Sequence, residues 1–152
     1  MSHGLDSDEL YMQLEESKKT ETLSVSCLRI TSLPENLPPL KDLYCIYTDI
    51  TSLPPLPSGL VVLSCANTPM KTLPPLPVSM RVLDCRKTQI LCLPELPDTI
   101  ASLACSYIQL RSLPRLPTGL MSLFCKDSPH YKPGISMEEF IDLSRQDFCH
   151  DI

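Results

Sequence analysis

Apolar residues recur at a fixed interval of twenty positions along this chain. Leu43, Leu63, Leu83, Leu103 and Leu123 form one column, and Cys45, Cys65, Cys85, Cys105 and Cys125 follow two positions later. Further columns are Ile50, Met70, Ile90 and Leu110, then the proline-followed Leu53, Leu73, Leu93 and Leu113, and then Leu56, Leu76, Leu96 and Leu116. Leu40, Leu60, Met80, Ile100 and Leu120 close the unit. In extended backbone, positions 43 and 45 point to one side and position 44 to the other. The "LxC" step therefore predicts a short strand with one apolar side. A single coil has nothing to cover that side, so successive coils must stack, with their strands pairing in parallel about 4.8 Å apart. The "LPPLP" half cannot be helix interior, because proline lacks the amide donor and clashes with the preceding turn. A thin polyproline II or extended return path fits it.

A degenerate first copy, Leu23, Val25, Ile30, Leu33 and Pro34, occupies the same columns. The pattern thus predicts six strand-bearing copies over 22–126. Open ends of such a stack need polar-faced caps. "SDELYMQLEES", Ser7–Ser17, offers an N-cap serine, acidic first-turn residues, and Leu10 and Leu14 on one helical face. "SMEEFIDLSRQ", Ser136–Gln146, has the Ser-x-x-Glu spacing of a capping box. The expected organisation is a helical cap over 1–21, the array over 22–126, and a linker with a second helical cap over 127–152. His130 interrupts the apolar column, and Pro129, Pro133 and Gly134 mark the linker.

The "LPxLPxxLxxLxCxxTxI" unit resembles the short, twenty-residue leucine-rich repeat of the bacterial effector type, the YopM and IpaH families, with similar arrays in large DNA viruses. The resemblance covers roughly the two-thirds of the chain that carries the repeat. It implies a repeat solenoid with parallel β-strands on a concave face, a polyproline II or extended convex side, and gentle curvature. Many such repeats keep an asparagine that joins adjacent coils where this chain has Thr48, Thr68 and Thr88. A threonine hydroxyl supplies part of that bonding. Ile108 cannot, which predicts a looser, wetter turn there. The resembled ligases carry a large catalytic domain after the repeats. Only 27 residues follow Cys125 here, so ligase activity is not expected.

Composition and charge narrow the function. The chain of 152 residues has 16 prolines, 8 cysteines and no tryptophan. Its net charge of −5 splits into −4 over 1–21, +2 over 22–125 and −3 over 126–152. Acidic ends around a near-neutral middle lack the concentrated basic face of a nucleic-acid binder. No stretch approaches the roughly 20 apolar residues of a membrane span. The N-terminus shows no basic segment followed by an apolar run, so a cytoplasmic location is expected, or host-cell cytoplasm or a virion for a microbial or viral protein. None of the cysteine pairs has the two-to-four-residue spacing common in zinc sites. A column with one thiol per coil reads as small buried hydrophobes, in the slot that Val25 fills in the first copy. Cys149 beside His150 reads as a tail cysteine with an incidental neighbour. No acid–base pair, phosphate loop or metal spacing is present, so neither enzyme activity nor a cofactor is expected.

The outward strand positions form one contiguous face. They run Tyr44, Ser64, Asp84, Ala104, Phe124, then Ile46, Ala66, Arg86, Ser106, Lys126, then Tyr47, Asn67, Lys87, Tyr107, Asp127. Exposed aromatics and arginine are typical interface anchors. Tyr44, Ile46, Tyr47, Asp84, Arg86, Lys87, Tyr107 and Phe124 are the expected contacts for a protein partner. The alternative is a structural subunit, such as a virion component, that meets other copies through its edges, convex ridge or caps.

Overall fold

A computed structural model describes residues 3–127, with side chains from Asp6 onward. The expected C-terminal helix, His130 and Cys149 lie outside the described residues. Helix α1 spans His3–Thr20. Six short strands follow: β1 Thr22–Ser24, β2 Asp42–Tyr44, β3 Val62–Ser64, β4 Val82–Asp84, β5 Ser102–Ala104 and β6 Ser122–Phe124. They form one parallel sheet in sequence order, and each residue pairs with the residue twenty positions on: Leu23 with Leu43, Leu63 with Leu83, Leu103 with Leu123. The repeat interval is therefore the sheet register itself. Between strands the chain returns through the proline-rich half without helix or strand.

Each coil is closed by backbone bonds that the side-chain columns permit. A four-residue turn re-enters the strand, with Leu60 N donating to Pro57 O (3.0 Å) and Met80 N to Pro77 O (3.0 Å). The ladder runs on past the three-residue strands. Cys45 N donates to Ser64 O (2.9 Å) and Cys65 N to Asp84 O (2.8 Å), and the same step recurs in the neighbouring coils. Leu43, Leu63, Leu83 and Leu103 are fully buried, together with Ile50, Met70, Ile90 and Ile100. Leu53, Leu73 and Leu93 are partly buried and pack against this core from the return leg.

Helix α1 differs in extent from the expected Ser7–Ser17. It begins earlier, so Ser7 lies inside the helix rather than capping it. Leu10 and Leu14 do pack against the core, and Ser17 is buried with its hydroxyl on Leu14 O (2.8 Å). The helix ends at Glu21, in the left-handed region at φ 57°, whose amide donates back to Ser17 O (2.9 Å). That is the single-bond left-handed cap, made here without the usual glycine.

A second stitch between coils lies at the turn before each strand. Thr99 Oγ1 sits 2.7 Å from Val78 O and 2.8 Å from Met80 O, and its one hydrogen serves either carbonyl of the preceding coil. Ser79 repeats this on Ser58 O (2.8 Å) and Leu60 O (2.6 Å). Gly119 occupies the same column, and a Cβ there would stand 3.8 Å from Asp98 O with no closer neighbour. Gly119→Thr is therefore expected to add the missing bond and to restrict the unfolded chain. The gain should be about 1 kcal/mol from the bond, with a further few tenths from lost glycine freedom. Thermal melting checks it: the midpoint should rise by a few degrees.

Candidate functional site: the strand face

The side chains opposite the core emerge from two local conformations, where the sequence pattern suggested one. Tyr44, Asp84 and Phe124 end their strands and project outward from extended backbone. Tyr47, Asn67, Lys87, Tyr107 and Asp127 do not continue the strands. They sit at φ 54° to 61°, and Cys27 at 65°, so each coil turns through one left-handed residue that is not glycine. Only Asn and Asp favour that region among those types. The turn tips Tyr47 and Tyr107 out, leaving them 62% and 47% exposed.

The threonine column explains how the turn is held. Thr48, Thr68 and Thr88 donate from Oγ1 to Cys45 O (2.9 Å), Cys65 O (2.8 Å) and Cys85 O (2.8 Å). The bond stays within one coil, three residues back, instead of joining adjacent coils. Where Ile108 replaces threonine, the turn is not looser: Tyr107 keeps φ 61°, its amide donates to Lys126 O (2.9 Å), and Ile108 is buried. The hydroxyl supports the turn, while the inter-coil amide bond fixes it.

The expected contact residues separate into groups. Tyr44 and Ile46 are half-buried beside exposed Tyr47. Asp84 and Arg86 are not independent anchors. Arg86 Nε and Nη2 fork onto the two Asp84 oxygens (2.9 and 2.8 Å), its amide donates to Asp84 Oδ1 (3.2 Å), and Ser64 Oγ donates to Oδ2 (3.4 Å). This bonding raises the Arg86 pKa above its ordinary value. The Lys87 ammonium lies 5.7 Å from the centroid of the Tyr107 ring on the next coil, within cation–π range. Phe124 is 58% exposed at β6. Between these groups, Ser64, Ala66, Ala104 and Ser106 are buried despite pointing away from the core, because taller neighbours flank them.

The chain is similar to the leucine-rich repeat domain of a Shigella effector, with 31% identity and a TM-score of 0.80 over 86% of this chain and 61% of that one. It is also similar to YopM, a leucine-rich effector protein from Yersinia pestis, with 27% identity and a TM-score of 0.73 over 80% of this chain and 35% of that one. The fold is a leucine-rich repeat solenoid. No protein-family model matches the chain, and no curated protein does. The chain spans about three-fifths of the Shigella domain and about a third of YopM. Solenoids of this kind present extended concave surfaces on which protein–protein interaction takes place.

The cysteine column lines the interior of this leucine-rich repeat. Cys45, Cys65, Cys85 and Cys105 are fully buried, and the Sγ atoms of Cys45, Cys65 and Cys85 each lie 3.5 Å from a carbonyl of the following coil, which fits a weak S–H donor. Burial pushes the thiols of Cys45 and Cys105 up to about 12 and those of Cys65 and Cys85 well above the ordinary value. A group held as thiol is neither a nucleophile nor a metal ligand. Among the described residues, no cluster of three or more His, Cys, Asp or Glu is placed to hold a metal, and no helix is long and apolar enough to cross a membrane. The return leg carries an open groove of about 720 Å³ between coils, lined by Pro75, Val78, Pro94, Leu96, Asp98 and Arg115. Prolines of the repeat's return leg form its walls.

Proposed function

We propose that this chain is a non-catalytic interaction module that binds a protein partner through its strand face. The observation that carries this reading is the exposure of Tyr47, Tyr107 and Phe124 on one continuous face where Ser64, Ala66, Ala104 and Ser106 lie low and Asp84 and Arg86 are tied to each other. Large aromatic side chains left exposed on a rigid face suit partner anchoring. The buried, protonated thiol column supports a role without chemistry at cysteine, and it suits a reducing compartment such as the cytoplasm. Neither nucleic acid nor membrane is part of the reading.

Affinity capture from the native cell tests it. Tyr47→Ala with Tyr107→Ala is expected to lose the partner that the unaltered chain retains. The thermal midpoint should shift by no more than a degree or two, because exposed substitutions change stability by about 0.5 kcal/mol. Retention of the same partner at the same yield would remove the strand face from the proposal. A native mass above one chain, unchanged by the two substitutions, would favour assembly through edges or caps instead.

A further inference from the structure

The strand face is not evenly tall. Coils carrying β3 and β5 present Ser64, Ala66, Ala104 and Ser106, each 8% exposed or less. The coil carrying β4 lies between them and rises as a ridge topped by Arg86 and Lys87. The ridge is cationic at its surface. Asp84 neutralises Arg86 from below, with its side chain 17% exposed against 51% for Arg86. Among the described residues the Lys87 ammonium has only the Tyr107 ring as partner and adds a charge that none of them neutralises. Along the solenoid axis the face therefore reads low, cationic ridge, low, in steps of one strand spacing, about 4.8 Å.

Three peptide conformations can be laid along that axis. An extended strand puts same-face side chains about 6.7 Å apart, and the residue about 10 Å along, at i+3, points to the opposite face, so it cannot fill both low coils, which lie about 9.6 Å apart. Polyproline II returns to the same face after about 9.3 Å and fits both low coils, but it has no residue facing the ridge between them. An α-helix brings positions i and i+7 to one face about 10.5 Å apart, with i+3 or i+4 between them at about 4.5 to 6 Å. Only the helix meets all three levels.

Resting on the strand-face reading above, we propose that the partner presents an amphipathic α-helix that lies along the solenoid axis. Apolar side chains at i and i+7 drop onto Ser64/Ala66 and Ala104/Ser106. A carboxylate at i+3 or i+4 meets Arg86 and Lys87. Tyr47 and Tyr107, which stand in one column, border the helix along one flank. Charge complementarity at the ridge fixes the register, because a helix slid by one coil would place an apolar group on the cations and the acid on a low coil.

The test is selection of a phage-displayed library of randomised 16-residue peptides on the full chain. Enriched clones are expected to be helical when bound and to share apolar residues at i and i+7 with Asp or Glu at i+3 or i+4. Ala66→Leu, which fills one low coil, should weaken them at least tenfold with its melting midpoint checked. Lys87→Glu, an exposed change that spares the core, should weaken them similarly, and replacing the peptide's central acid by lysine should restore binding to that variant. Clones that lose binding to Tyr47→Ala/Tyr107→Ala but show no central acid, or bind extended, overturn the helix while leaving the strand face standing. Clones indifferent to every strand-face substitution overturn both. A library that yields no binder overturns the helix, and the cellular capture then decides the strand face alone.

Discussion

Raising the pH from 8 to 11 under reducing conditions is expected to unfold the solenoid cooperatively, with a midpoint between about pH 10 and 11. The cause is the cysteine column. A thiol with an ordinary value of 9.0 is held up to about 12 at Cys45 and Cys105, and well above its ordinary value at Cys65 and Cys85, by burial away from water. Below pH 9 both folded and unfolded chains keep these protons, so stability does not depend on them. Above it the unfolded chain releases protons that the folded chain retains, and stability falls as pH rises. At pH 10.5 Cys45 and Cys105 have each removed about 2 kcal/mol, about 4 kcal/mol together at about 1.36 kcal/mol per pH unit, and Cys65 and Cys85 add a loss of the same sign. The combined loss is a large share of the whole stability of a domain, about 5 to 15 kcal/mol. Far-UV circular dichroism against pH measures the transition, and thiol reagents should reach the column only as it proceeds. Cys85→Val, which puts the Val25 side-chain type into a central coil, should make the transition less steep by about one proton. A fold intact at pH 11.5 would mean that the column is hydrated.

Much of this molecule can be read from the spacing of its leucines, and the limits of that reading have physical causes. Leu43 and Cys45 are identifiable as core because an extended chain leaves no other side for them. The register follows as well, since an interval without insertions can only stack residue i on i+20, as Leu63 on Leu83 shows. The left-handed turn at Tyr47 is hidden because no glycine marks it, and the types in its column tolerate that conformation only when tertiary hydrogen bonds impose it. The partner of Thr48 is hidden for the same reason, since Cys45 O comes within reach only once the chain has turned. On the candidate face, the outward projection of Phe124 follows from alternation, whereas strict alternation would turn Tyr47 and Tyr107 to the side of Cys45 and Cys105, and only the left-handed turn brings them out. The mutual capture of Asp84 and Arg86 was available in principle, since positions two apart on an extended chain share a side. It changes how that face meets a partner, from two opposite charges to one cationic ridge.

Leu83→Ala is expected to cost about 3 kcal/mol, and Leu123→Ala, the same change in the same column, clearly less. Leu83 is fully buried in β4, and its register partners Leu63 and Leu103 are fully buried on either side. Removing three carbons there strips contacts from two inter-coil interfaces and leaves a cavity that rigid strands close poorly; such truncations cost about 2 to 5 kcal/mol. Leu123 lies in β6, has a register partner only in β5 among the described strands, and is already partly exposed. In a solenoid each coil is stable chiefly through its neighbours, so damage at a central coil also weakens the coupling between the halves on either side. Chemical denaturation should show both effects. The midpoint of Leu83→Ala should fall well below that of Leu123→Ala. Its transition should broaden as the coils before and after β4 begin to melt separately, while Leu123→Ala keeps a single sharp transition. Equal losses for the two variants would mean that the coils contribute independently. The array would then lack the nearest-neighbour coupling that its unbroken register implies.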